Sequence, residues 1–146
     1  MVNSDSIKKE IVTTINTLDA LKKELSQLKD SEINKLIWQI RANLELIHVE
    51  LKFSLSKEMS IEKWQKDFLE ELKGTSSRKK AIIILNSLNS DSTYFSKLLS
   101  SNKEKCYREL WELKEIVSSI LAAFPATSYI FRDGKVTQKR EEIFEF

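Results

Sequence analysis

Apolar residues recur in alternating steps of three and four along the first part of the chain. This spacing is typical of helices that pack lengthwise against each other. The first series runs from Ile7 to Leu28 with one polar member, and the second runs from Ile33 to Leu51. Four polar residues separate the two series, and Ser31 among them is a suitable N-cap. Because this connection is short, the pattern predicts an antiparallel helical hairpin over residues 5–57.

The second helix of the hairpin carries a further apolar line, which consists of Trp38, Ala42, Leu46, Val49 and Phe53. A helix that is apolar on two sides is normally placed between two neighbours. The hairpin covers one side only, so the other side packs either on the rest of the protein or on another copy of it. We therefore predict a homodimer, or the docking of a partner subunit, with Trp38, Leu46, Val49 and Phe53 near the interface.

A third helix is expected over residues 60–73, opened by Ser60 as its N-cap and ended by Gly74. The polar residues after Gly74 are the most plausible boundary in the chain. We therefore divide it into residues 1–74, a helical hairpin with a bridging helix for dimerisation or partner binding, and a second module over residues 75–146.

Three more helices are expected in the second module. The fourth covers about 77–88 and the fifth about 92–99. Ser101 and Glu104 have the spacing of a capping box, which would open the sixth helix, and this helix would stop before Pro125.

A β-hairpin is expected near the C-terminus. Residues Tyr129–Val136 read YIFRDGKV, and Asp133-Gly134 favours a tight turn between two short strands. The predicted fold class is therefore all-α with a small C-terminal β-hairpin.

The segment Ser92–Leu113 has the spacing of a helix-turn-helix. Two short crossed helices would bury its apolar residues, and Ser96 is small where the helices would touch. With the hairpin that follows, residues 78–140 resemble the winged-helix DNA-binding domains of many bacterial and archaeal regulators. The segment departs from that family in the polar Ser101 after the turn and in the length of the sixth helix, which runs on toward Phe124.

The resemblance implies a winged-helix-like unit whose second helix enters the major groove of duplex DNA. The residues that would contact DNA are Lys103, Lys105, Tyr107 and Arg108 on the recognition helix, and Arg132, Lys135 and Lys139 on the wing. Residues 74–114 carry 8 basic against 4 acidic side chains, although the net charge of the chain is only +2. This total is too small to imply nucleic-acid binding by itself.

The chain holds one cysteine, Cys106, and one histidine, His48. An intramolecular disulfide and a Cys/His zinc site are therefore excluded, and we expect neither a metal nor a cofactor. The apolar runs are too short to cross a bilayer, and the N-terminus lacks the apolar core of a signal peptide, so we expect a cytoplasmic protein that does not bind membranes.

Three functions fit these patterns. The first is a small intracellular DNA-binding regulator that acts through the helix-turn-helix and has no enzymatic activity. The second is a helical accessory subunit of a nucleic-acid-processing complex, such as a replication or CRISPR-type assembly. The third uses Arg41 and His48, which lie seven residues apart on one helix face as in the Arg-x(4–6)-His motif of HEPN ribonucleases. We favour packing beside the apolar seam as the role of that pair.

Overall fold

The computed structural model describes residues 4–56, 58, 60–126, 129–132 and 135–138. Within these residues there are six helices, and their bounds are α1 (Ser4–Glu24), α2 (Asp30–Ser54), α3 (Lys63–Glu71), α4 (Arg78–Ser87), α5 (Ser92–Ser101) and α6 (Lys103–Ile120). A single 3₁₀ turn, Leu121–Ala123, continues from α6. Two four-residue strands, β1 (Tyr129–Arg132) and β2 (Lys135–Gln138), form an antiparallel ladder with Arg132 opposite Lys135.

The first two helices pack along each other through the two heptad series. All six apolar residues of the α2 series, from Ile33 to Leu51, are buried, as are those of α1 from Ile7 to Leu25. The connection is the short segment 25–29, and α2 begins at Asp30 instead of after Ser31. Glu32 explains this start, because its side chain accepts a hydrogen bond of 3.0 Å from the backbone N–H of Lys29.

The longest contact of the bundle joins α2 to α6, which run antiparallel. Near the start of α2, the Asn34 side chain donates to the backbone oxygen of Phe124 at 2.5 Å. Near the other end, the Lys103 ammonium donates to Ser54 Oγ at 3.1 Å. Helix α5 packs against both α1 and α6, and the Ser90 hydroxyl just before α5 donates to the Asp19 carboxylate at 3.2 Å. One helical core is therefore shared by α1, α2, α4, α5 and α6.

The predicted fold class, with its winged-helix-like unit, is wrong, and the fold is an all-α bundle. The strands β1 and β2 add a ladder in which, among the described residues, they pair only with each other. Helix α6 has 18 residues, and apolar side chains from Cys106 to Ile120 recur along its whole length. Burying them requires a partner of similar length, which α2 supplies. Helix α6 is therefore an element of the bundle core along its whole length.

Two helix starts also differ from the sequence prediction. Helix α3 begins at Lys63, three residues after Ser60, and Gln65 accepts a 2.7 Å bond from the backbone N–H of Glu62. Ser101 is the last residue of α5, and Asn102 caps α6 by accepting a 3.1 Å bond from the backbone N–H of Lys105.

Candidate functional site

The four residues predicted to contact DNA from α6 lie in different surroundings. Lys105 and Arg108 are exposed, and Lys103 is half-buried against Ser54. Tyr107 is only 2% exposed, so it cannot contact a nucleic acid in this structure. The backbones of Arg132 and Lys135 lie on the two strands, and Lys139 lies outside the described residues.

Tyr107 is an anchor between helices. Its ring stacks on the imidazole of His48 with centroids 4.6 Å apart, and its hydroxyl accepts a bond of 3.4 Å from Gln65. The edge of Trp64 meets the same ring at 6.1 Å. Burial, and then the negative charge of Glu62, raises the pKa of Tyr107, so the phenol stays protonated. The side chain therefore joins α2, α3 and α6.

A cleft of about 770 Å³ opens between α3 and the first half of α6, with Tyr94 of α5 on its wall. Ligand sites of this size are common in proteins. The cleft is lined by two basic residues, Lys105 and Arg108, and by four carboxylates, Glu62, Glu104, Glu109 and Glu112. The surface around Lys105 and Arg108, which the sequence predicts to contact DNA phosphates, is therefore net acidic. We call it the acidic cleft.

Arg108 covers one wall of the acidic cleft. Its guanidinium carbon lies 4.8 Å from the centroid of the Trp64 ring, a cation–π arrangement. Its Nε donates to Glu112 at 3.3 Å. The Trp64 indole N–H donates to Glu62 at 2.6 Å, and the ring edge meets Trp111 at 5.1 Å, so Trp64 is held from two sides.

Tyr94 fixes a second carboxylate of the acidic cleft. Its hydroxyl lies 2.8 and 2.9 Å from the two carboxylate oxygens of Glu109. The hydrogen bond to that carboxylate is the main reason that the pKa of Tyr94 is raised. The bond from Tyr94 therefore holds the Glu109 carboxylate in place.

Part of this cleft could be seen in the sequence. Glu104, Glu109 and Glu112 leave the predicted recognition helix nearly neutral, which already weakened a phosphate-binding interpretation. Glu62 and Trp64 were missed as site residues, because only the packing of α3 on α6 brings them to this place. The sequence around the start of α3 contains no signal for this contact.

Arg41 and His48 both contact α6, but Arg41 contacts its last turns and His48 contacts its first turns. Arg41 donates from Nε to Ser118 Oγ at 2.8 Å and lies over the Trp38 ring at 5.1 Å. His48 stacks on Tyr107, and burial, followed by the charges of Lys114 and Lys52, lowers its pKa to about 4. At neutral pH His48 is therefore uncharged, which suits a packed ring.

The outer face of α2 is the side opposite its core residues, and it carries the second apolar line. Trp38 is 49% exposed, Leu46 64% and Phe53 62%. Ala42 is exposed and Val49 is partly buried between them. In the described part of the chain no other helix covers this line.

A shallow groove follows one edge of this face, where α1 meets α2 beside Leu46. Glu10 lies in its wall, and one of its carboxylate oxygens is buried without a hydrogen-bond partner among the described residues. Burial, then hydrogen bonding to Glu50 and the charge of that residue, raises the pKa of Glu10.

Among the described residues of 4–126 and of the two strands, no group of three or more His, Cys, Asp or Glu side chains is arranged to hold a metal ion. Cys106 is buried, and burial raises the pKa of its thiol to about 12, so it is unreactive. None of the helices in this part of the chain combines the length and the hydropathy that crossing a bilayer requires.

Comparisons with known proteins give no relative from which a role could be inferred. No protein-family model matches the chain, no curated protein matches it, and no solved structure matches its fold.

Proposed function

We propose that this protein is a non-enzymatic helical accessory subunit that acts by binding protein, and that a second copy of the chain binds the outer face of α2. The observation that carries the proposal is the exposure of Trp38, Leu46 and Phe53 in one line on a single helix. A contiguous apolar surface of this kind marks an interaction site more often than scattered exposed residues do.

The spacing of the line fits pairing with itself. If two α2 helices meet antiparallel about a two-fold axis near Leu46, then Trp38 faces Phe53 of the partner subunit. In the same register Ala42 faces Val49 of the partner subunit, and the two copies of Leu46 meet at the centre. An interface of this type is isologous, and the small side chain of Ala42 allows a close approach of the two backbones.

The size of the face sets the expected strength. The line covers 15 residue steps, so it is about 22 Å long. Each half-exposed aromatic ring offers roughly 100 Å². The three large side chains therefore supply a minority of the roughly 800 Å² per partner of a standard interface. We expect a dimer with a dissociation constant of about 1 to 100 µM.

The acidic cleft supports the accessory-subunit hypothesis over the DNA-binding regulator. The four carboxylates of the acidic cleft would repel phosphates, and buried Tyr107 is unavailable to bases. A protein partner carries no phosphate backbone that the carboxylates would repel, and binding it does not require an exposed Tyr107.

Sedimentation equilibrium from about 1 to about 100 µM tests the proposal. We expect the average mass to rise toward twice the monomer mass, and Leu46→Ser with Phe53→Ser to abolish the rise. Ile83→Ser is the matched control, because Ile83 on α4 is also 62% exposed and lies outside this face. A monomer at every concentration, or an equal loss with Ile83→Ser, would contradict it.

A further inference from the structure

We propose that the acidic cleft binds the guanidinium group of an arginine in a basic segment of a partner protein. This surface is distinct from the outer face of α2, so the inference goes beyond the self-association proposed above. It rests on the charge of the cleft, on the position of Arg108, and on the way the walls are held.

The charge of the cleft favours a cation. Four carboxylates line it against two basic side chains, so the lining is net acidic. A concave surface with an excess of one sign attracts ions of the opposite sign. The same field disfavours nucleic-acid phosphates.

Arg108 is an intrachain example of the contact that a partner's arginine would make. Its guanidinium carbon lies over the Trp64 ring at 4.8 Å from the centroid, and its Nε donates to Glu112 at 3.3 Å. Stacking on an aromatic face while donating to a carboxylate is characteristic of a planar guanidinium, whereas the compact ammonium of lysine fits it less well.

Arg108 is also easily displaced. Its side chain is 57% exposed, and the pair with Glu112 is an i, i+4 contact at the surface of one helix. Such exposed pairs contribute little to stability. Arg108 can therefore turn toward solvent and leave the Trp64 face and the Glu112 carboxylate to an incoming guanidinium.

The walls of the cleft are held in place before any ligand arrives. Trp64 is fixed by its hydrogen bond to Glu62 and by its edge contacts with Tyr107 and Trp111. Glu109 is fixed by Tyr94. Groups that are already ordered lose little conformational entropy on binding, so a single arginine gains more from this cleft than from mobile surface carboxylates.

The test uses the full chain and a short peptide of alternating glycine and arginine as the probe. Binding is followed through the indole N–H signal of Trp64 in NMR spectra, with the signal of Trp38 on α2 as the internal reference. We expect the Trp64 signal to shift, the affinity to fall with added salt, and a lysine-for-arginine peptide to bind several times more weakly. Arginine amide, added alone, measures how much of the affinity belongs to the single cation.

Three variants separate recognition from a loss of folding. Arg108→Ala removes the internal competitor, so it should tighten peptide binding about threefold, which an unfolded protein cannot do. In that background Glu112→Gln should weaken binding about fivefold, whereas Glu24→Gln at the exposed end of α1 should not change it.

Four results would overturn the inference. They are the absence of a Trp64 shift with the arginine peptide, weaker binding by Arg108→Ala, equal binding of the lysine peptide, and a Trp64 shift on addition of duplex DNA that Arg108→Ala abolishes. None of them depends on whether the chain dimerises, because the variants lie off the outer face of α2.

Discussion

The imidazole of His48 is held as a neutral ring by its surroundings. It stacks on Tyr107, and its Nε2 atom is buried without a hydrogen-bond partner among the described residues. Burial is the main cause of its lowered pKa, and the positive charges of Lys114 and Lys52 add to it. A proton on this ring would be both desolvated and repelled, so folding and protonation of His48 oppose each other.

This opposition predicts a specific pH dependence of stability. The pKa of His48 falls from 6.5 to about 4 on folding, so between these values the unfolded chain binds the extra proton. The contribution of neutral His48 to the stability of the fold is complete above pH 6.5, the pKa in the unfolded chain, and is lost as the pH falls toward about 4, the pKa in the folded protein. His48→Phe keeps a stacked ring without the proton site. Between pH 7 and pH 5 the wild type should therefore lose about 1 kcal/mol more than the variant, after allowance for the partial exposure of the ring.

Urea unfolding of both proteins at the two pH values gives this difference directly. Because carboxylates titrate in both proteins, only the difference between wild type and His48→Phe is diagnostic. Equal losses in the two would mean that His48 is not desolvated in solution.

At the level of helices, the junction between α5 and α6 depends on one residue. Asn102 ends α5 and caps α6, with its side-chain oxygen 3.1 Å from the backbone N–H of Lys105. Ser101 turns away from this role, because its hydroxyl donates back to the Lys97 carbonyl at 2.9 Å. Serine near the end of a helix commonly makes this bond to the preceding turn.

The junction gives a prediction with an adjacent control. Asn102→Ala should lower the free energy of unfolding by about 1 kcal/mol, because a backbone N–H at the start of α6 loses its acceptor. Ser101→Ala should change it by less than about 0.5 kcal/mol, since its hydroxyl bond lies at the exposed surface. Urea denaturation of the two variants compares them. If Ser101→Ala were the costlier change, the capping box expected from the sequence would form in solution.

Helix starts show where sequence reasoning was sufficient and where it was not. The apolar spacing of α1 and α2 identified their core residues, because burial on one face requires that period. The choice among nearby polar residues at a helix start, such as Ser60 against Glu62 or Ser101 against Asn102, depends on backbone angles set by the neighbouring helices. No local pattern contains those angles.

The packing of whole helices accounts for the larger error. The helix-turn-helix spacing of Phe95, Leu99, Cys106 and Leu110 is satisfied equally by a bundle, since any two adjoining amphipathic helices bury residues at these intervals. The apolar residues of α6 beyond Leu110, up to Val117 and Ile120, distinguish the bundle from a helix-turn-helix, because burying them requires a helix as long as α2. The acidic cleft follows from the same placement, so it could not be predicted before α3 was located.

At the scale of the molecule, one core crosses the boundary expected near residue 75. Ile15 and Leu44 from the first segment belong to the same buried cluster as Leu110 and Val117 from the second. Asn34 adds a hydrogen bond from α2 to the carbonyl of Phe124 beyond the end of α6. Neither segment could bury its apolar residues alone, so we expect the described helices to unfold as one cooperative unit.

Two optical signals, one from all helices and one from a single helix contact, test whether the helices unfold together. Far-UV circular dichroism follows all helices. Tryptophan fluorescence follows the contact of buried Trp111 with half-buried Trp64 between α3 and α6, because the exposed Trp38 ring changes its surroundings less on unfolding. Both should give the same urea midpoint. Ile15→Ala in α1, at a site with no exposed surface, should lower stability by about 2–5 kcal/mol and move both signals together. If the fluorescence transition stayed where it is in the wild type, α3 and α6 would hold together without the N-terminal hairpin, and the helices would not unfold as one cooperative unit.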